Sequence, residues 1–411
     1  MINTKKHKKV LLILILLSIF GCSEDKEFQE PPTPKYDLPQ VYITTPNEEK
    51  IASKKNWVKD GNIIIEDRYG NICLDIESDF RGRGNSTWLM PKKSYAIKLK
   101  NKSKVLSMPK HKRWVLLANW LDRTLLRNDV ALEIARTCLP FTPKGEFVEL
   151  YINNEFRGNY YLCEQIKIDE NRVNIDEIDE TTAKEDMTGG YLLEFDTYSD
   201  TEINYFYTKH KNYPVTIKEP DEKIITSWEH AAFKYITNYI DNVEDVLISC
   251  KYEEIEKLLD VKSYADWWLV YNLVGNVEPG HPKSCYMYKK RNGKLYAGPA
   301  WDFDCATFMP GRKGGILKSV LWYEYLFKHK QFKKIIKKRW KELYPKFEQI
   351  IQYIDKKAKY IELSNEKNIE MWPITQNVNL DIDLPFKDAV ERLKAAYIER
   401  MNELNIEIES Y

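Results

Sequence analysis

The hydrophobic period of this chain changes once, at Pro220, and that change limits the fold more than any other feature of the sequence. Before it, apolar residues fall in short β-branched runs broken by Asn, Asp and Gly: 41–45, 62–65, 72–76, 95–99, 114–117, 147–152, 158–164, 190–196 and 215–218. Successive side chains of a strand point to opposite faces, so runs of this length and make-up read as strands. Asn153-Asn154-Glu155-Phe156-Arg157 between two of them is a hairpin signal. One helix interrupts the series, over 124–137, with Leu125, Val130 and Ile134 near one face. After Pro220 the apolar residues recur every three or four positions, and 224–247, 261–274, 317–344, 346–372 and 385–404 read as helices. A strand pair inside this half, 285–289 and 295–297, turns through Arg291-Asn292-Gly293. No internal repeat is visible. The expected architecture is α+β, with a β-rich N-terminal lobe over 41–220 and a helical C-terminal lobe over 221–411.

The single long apolar run, 10–20, is too short to cross about 30 Å of hydrocarbon as a helix. Preceded by Lys5, Lys6, Lys8 and Lys9, it reads as an export signal over 1–21. Ile19-Phe20-Gly21-Cys22 resembles a bacterial lipobox, which makes Cys22 the lipidated first residue of the mature chain and a lipid anchor its membrane contact. Residues 22–40, a short acidic stretch and then Pro31, Pro32, Pro34 and Pro39, read as a stiff spacer. The expected address is an exported lipoprotein of the outer membrane or cell surface. Lys and Arg total 63 against 62 Asp and Glu, so no global field draws the chain to nucleic acid, and none is expected as a partner. The basic stretch 328–346 carries Phe332, Ile336, Trp340 and Leu343 on the opposite face, as a solvated helix packed on a core does. The six cysteines after Cys22 have no C-x-x-C spacing, so free thiols rather than a zinc site are expected.

Four blocks carry chemistry. Arg81-Gly82-Arg83-Gly84-Asn85-Ser86-Thr87 combines glycines, which let backbone N–H groups approach an anion, with guanidinium groups that bind phosphate; an ordinary surface turn would use the same residues. Pro91-Lys92-Lys93-Ser94-Tyr95-Ala96-Ile97-Lys98 then ends a strand on a lysine, where kinases hold nucleotide phosphates. In the second block, Asp122 or Thr124 caps the following helix, and Arg127 and Asn128 open it. The third ends an apolar strand on Glu164, either a partner for that lysine or a solvated carboxylate. The fourth, Gly298-Pro299-Ala300-Trp301-Asp302-Phe303-Asp304, sets two carboxylates at i and i+2 after a strand, which suits a hard cation with phosphates. Upstream, Glu278 lies in a polar loop, where a carboxylate can accept the proton of an attacking hydroxyl.

In order, Arg-Gly-x-Gly-Asn-Ser-Thr with Pro-Lys-Lys-Ser-Tyr at 81–95, Asp-Arg-x-x-Leu-Arg-Asn at 122–128, Tyr-Ile-Asn-x-x-x-x-Gly-x-Tyr-x-x-x-Glu at 151–164 and Gly-Pro-x-Trp-Asp-Phe-Asp at 298–304 resemble the spore-coat-protein-H (CotH) kinase family. The resemblance implies an atypical, reduced, bilobal protein-kinase-like fold and metal-dependent phosphoryl transfer from ATP, with Mg²⁺ or Mn²⁺, to secreted or surface proteins. It implies Lys98 or Lys93 as the nucleotide-phosphate lysine, Glu164 as its partner and Arg83 near the phosphates. It also implies Asp302 and Asp304 as the metal pair, with Glu278 and Asp302 in the catalytic positions. Glu278 stands where the family more often has Asp, and Ser284 near where many relatives have Asn. The competing reading is a non-catalytic surface lipoprotein of the same fold that binds glycan or a host surface.

Overall fold

A computed structural model describes residues 33–313 and 315–411; the expected signal 1–21, Cys22 and the spacer through residue 32 lie outside the described residues. The protein is a mixed α+β structure, 36% helix and 24% strand, β-rich toward the N-terminus and helical toward the C-terminus. Seven strands close a barrel: β1 (Gln40–Thr44), β2 (Val58–Glu66), β3 (Ile72–Arg83), β4 (Ser94–Val105), β5 (Met108–Leu117), β6 (Gly145–Ile152) and β7 (Glu155–Glu164). Their order is β1-β2-β3-β4-β5-β7-β6, and a parallel pairing of β1 with β6 shuts the ring. Ile63, Phe80, Ile97, Trp114 and Leu162 fill the interior. On β5 and β7 the alternate residues are apolar too: Val115, Leu117, Tyr161 and Cys163 leave the barrel to join the helical core. Burial on both faces explains why the later parts of these two strands, 114–117 and 160–163, read as unbroken apolar runs.

Helix α1 (Arg127–Arg136) crosses between β5 and β6. A second, antiparallel sheet has the order β12-β11-β8-β10-β9. It takes β8 (Tyr191–Phe195), β9 (Tyr205–Tyr207) and β10 (Pro214–Glu219) from before Pro220, and the hairpin β11 (Cys285–Lys289) and β12 (Leu295–Ala297) from after it. Tyr205, Thr216, Glu194 and Tyr286 stand opposite one another in its register.

The helical part comprises α2 (Ala231–Ser249), α3 (Tyr252–Leu258), α4 (Val261–Val274), α5 (Tyr323–Leu326), α6 (Lys330–Met371) and α7 (Phe386–Glu409). Every residue of α4 but Lys262 is buried; Asp260 caps its start by accepting from the Ser263 N–H at 2.9 Å, and Gly275, left-handed at φ 69°, ends it. The sequence separates two helices at 344/346, but α6 runs through Pro345 as 42 residues. Pro345 and Lys341, four residues earlier, are both exposed, so water can satisfy the carbonyl that proline leaves without a donor. Strand β9 and helix α3 escape the sequence reading, being only three and seven residues long. All six described cysteines are free thiols. Among the described residues no helix is long and apolar enough to cross a membrane.

Candidate active site

Between the outer face of the barrel and the second sheet lies a cleft of about 450 Å³, in the size range of small-molecule sites. Its first wall is built by alternation on β3 and β4. Phe80 and Ile97 point into the barrel, so Arg81, Arg83, Ser94 and Ala96 point out of it and line the cleft. The glycines between the arginines serve packing. A Cβ on Gly82 would lie 2.2 Å from the Trp88 ring, and Gly84 turns the chain at φ +98° with Thr87 Oγ1 where its Cβ would be.

The opposite wall is acidic. Glu194 and Asp196 come from the end of β8, Glu278 from the loop after α4, and Asp302 and Asp304 from the loop after β12. Strand geometry stops at Ala297, and Asp302 adopts φ +67°, a region that only short polar residues visit readily besides glycine. Both aspartates still line the cleft because the residue between them is anchored. Phe303 is fully buried with its ring centroid 5.1 Å from that of Tyr271, and its N–H donates to Asn128 Oδ1 at 2.8 Å. Asn379 Nδ2 donates to the Asp304 carbonyl at 2.9 Å. Below this loop Arg127 pairs with Asp122 and with Asp381 (2.6 Å) and donates through Nε to the Thr307 carbonyl at 3.0 Å, all three charged groups being buried. Asp122 also accepts from the first N–H of α1, that of Arg127, at 2.8 Å, although the N-cap position itself is Leu126, whose side chain makes no capping bond.

The acids crowd one another. Burial pushes Glu278 up to about 7 with Asp302 adding to it, and burial with Glu194 pushes Asp196 up to about 6. Burial raises Asp304 far above the carboxylate range, helped by Asp302 and Glu278. Burial raises Asp302 as well, offset by the facing Arg83. A cation in their midst would relieve that repulsion, and a donor set of carboxylate oxygens fits a hard divalent ion. Among the described residues no group of three or more His, Cys, Asp or Glu could hold a metal ion by itself. Any such ion therefore needs oxygens from its ligand and from water, as Mg²⁺ held against phosphates does.

The structure thus brings Arg83, Glu278, Asp302 and Asp304 together. It places three other candidates elsewhere. Lys93 donates to the Trp88 carbonyl at 2.7 Å with its ammonium over the Trp88 ring. Lys98 shares the outer face of β4 with Ala96 but lies one step beyond the cleft, 3.5 Å from Asp79. Glu164 is buried, accepting from Arg172 at 2.9 Å and from the Lys144 N–H at 3.0 Å. The cleft cations that sequence reasoning missed include Lys167, Lys218 and Lys283, and its missed acids are Glu194, Asp196 and Glu202. The acids had a signal: Glu194-Phe195-Asp196 repeats, at the end of an apolar strand, the i, i+2 pattern of Asp302-Phe303-Asp304.

Fold and site together define a mixed α+β protein with a small-molecule cleft between a basic barrel face and an acidic loop wall. The family model described as CotH kinase protein matches residues 80–404, most of the chain, and the protein belongs to the CotH kinase family. No curated protein matches the chain.

Proposed function

We propose that the cleft binds ATP with Mg²⁺ or Mn²⁺ and passes the γ-phosphoryl group to a hydroxyl of a secreted or surface protein. The carrying observation is the sorting of charge: arginines from the barrel on one wall and carboxylates from the loops on the other, around a volume suited to a nucleotide. Barrel and helical body then correspond to the two lobes of a reduced kinase-like fold. Arg83, its guanidinium 5.5 Å from the Trp301 ring centroid, spans the gap between the walls and is placed to bind phosphate oxygens. Asp302 and Asp304 would hold the metal, which neutralises charge developing on the phosphates when bound. Glu278 accepts the proton of the acceptor hydroxyl at a carboxylate oxygen as that hydroxyl's oxygen bonds to phosphorus and ADP departs. Export through 1–21 and a lipid on Cys22 would hold the domain at the outer membrane or cell surface, where such acceptors are found. The test is incubation with radiolabelled ATP and Mg²⁺ or Mn²⁺. Incorporation by the native chain that disappears in Asp302→Ala supports the reading. Equal label in both, or none in either, leaves the non-catalytic surface-binding protein.

A further inference from the structure

Lys218, on β10, lines the cleft with its ammonium 3.3 Å from Glu194 Oε2 and 3.0 Å from Glu202 Oε1. The two partners differ in kind. Glu194 sits on the neighbouring strand β8, its side chain 12% exposed and its place fixed by the sheet register. Glu202 follows a single helical turn, Ser199–Thr201, between β8 and β9, and its side chain is 45% exposed. Glu202 is also the carboxylate that most offsets the burial of Arg81, on the barrel wall. One exposed carboxylate thus pairs with a lysine of the cleft and acts at longer range on an arginine of the facing wall, charges that a phosphate group would take up in its place.

We propose that Lys218 is the lysine that holds the nucleotide's phosphate, and that Glu202 is a built-in competitor which the incoming phosphate displaces while Glu194 stays to orient the ammonium. This rests on the ATP reading of the cleft and assigns within it a residue that neither Lys93 nor Lys98 can supply. The exchange conserves charge: Lys218 has two anionic neighbours before binding and two after it. Its cost is that the binding-competent cleft is populated only when Glu202 has let go, which lowers the apparent affinity by that fraction.

Calorimetric titration of the full chain with ATP and Mg²⁺ tests the exchange. Glu202→Gln should tighten binding about two- to fivefold, the worth of releasing an exposed ion pair. Lys218→Met should weaken it about tenfold or more, and the Glu202→Gln gain should vanish in that background. Binding unchanged or weakened by Glu202→Gln, or a gain undiminished beside Lys218→Met, overturns the proposal. Because Glu202 is exposed, its substitution leaves folding alone and decides the matter by itself should Lys218→Met fail to fold. If the native chain binds no ATP, the nucleotide reading of the cleft fails first and this inference falls with it.

Discussion

The two walls of the cleft are made in different ways. The barrel wall is a by-product of strand register: once Phe80 and Ile97 are inside, Arg81, Arg83 and Ala96 have nowhere to face but the cleft. The acidic wall follows that rule only at Glu194, on β8. Asp302 sits in left-handed backbone, and its loop is held by Asn128, Asn379, Arg127 and Asp381, which come from two distant stretches of chain. A regular element places side chains by repetition, whereas an irregular one needs a specific tie for each.

That difference can be broken experimentally. The largest effect should come from the buried charges beneath the acidic loop. Arg127→Leu leaves Asp122 and Asp381 without their cation, and urea unfolding should show a loss of about 3–5 kcal/mol. A loss under 1 kcal/mol would mean that the loop does not depend on this triad. Asn379→Ala removes the ties to the Leu121 and Asp304 carbonyls, for an expected loss of about 1–3 kcal/mol by the same measurement. The phosphoryl transfer proposed for the cleft should fall further than stability does, because the loop shifts before the fold fails.

The barrel has its own weak point. Burial, with Arg172 beside it, pushes His111 down to about 4, and its Nδ1 accepts the Arg113 N–H at 2.9 Å. The folded state thus holds it neutral while the unfolded chain protonates near pH 6.5. Its contribution to stability is full above that pH and is lost as the pH falls toward 4, by about 3 kcal/mol in total. His111→Gln should flatten the pH dependence of unfolding across that window; an unchanged slope would assign the acid sensitivity to other groups. The smallest effect is expected at Lys98, half exposed and 3.5 Å from Asp79: Lys98→Ala should cost no more than about 1 kcal/mol and leave transfer activity intact. Loss of activity there would return the phosphate-holding role to β4.

Much of the fold was legible in the sequence because much of it is periodic. Helix 261–274 and the strands 285–289 and 295–297 coincide with α4, β11 and β12. The acid pair was legible because two carboxylates so close together after an apolar strand have few structural uses. The lysines were not. Ser94, Ala96 and Lys98 share one face of β4, but the cleft ends at Ala96, and two residues of strand are about 6.6 Å. Periodicity fixes which way a side chain points and says nothing of how far along the strand the opposing wall extends. Lys218 was hidden for a related reason: β10 lies between β8 and β9, and its sheet meets the acidic loops only because β8 also pairs with β11, which joins segments some 90 residues apart in sequence.

β1 is the clasp of the barrel. It pairs with β2 on one side and β6 on the other, and no other strand can take its place in the ring. Removing the five residues from Gln40 to Thr44 would strip both neighbours of their hydrogen-bond partners, turning a ring without edges into an open sheet with two adhesive ones.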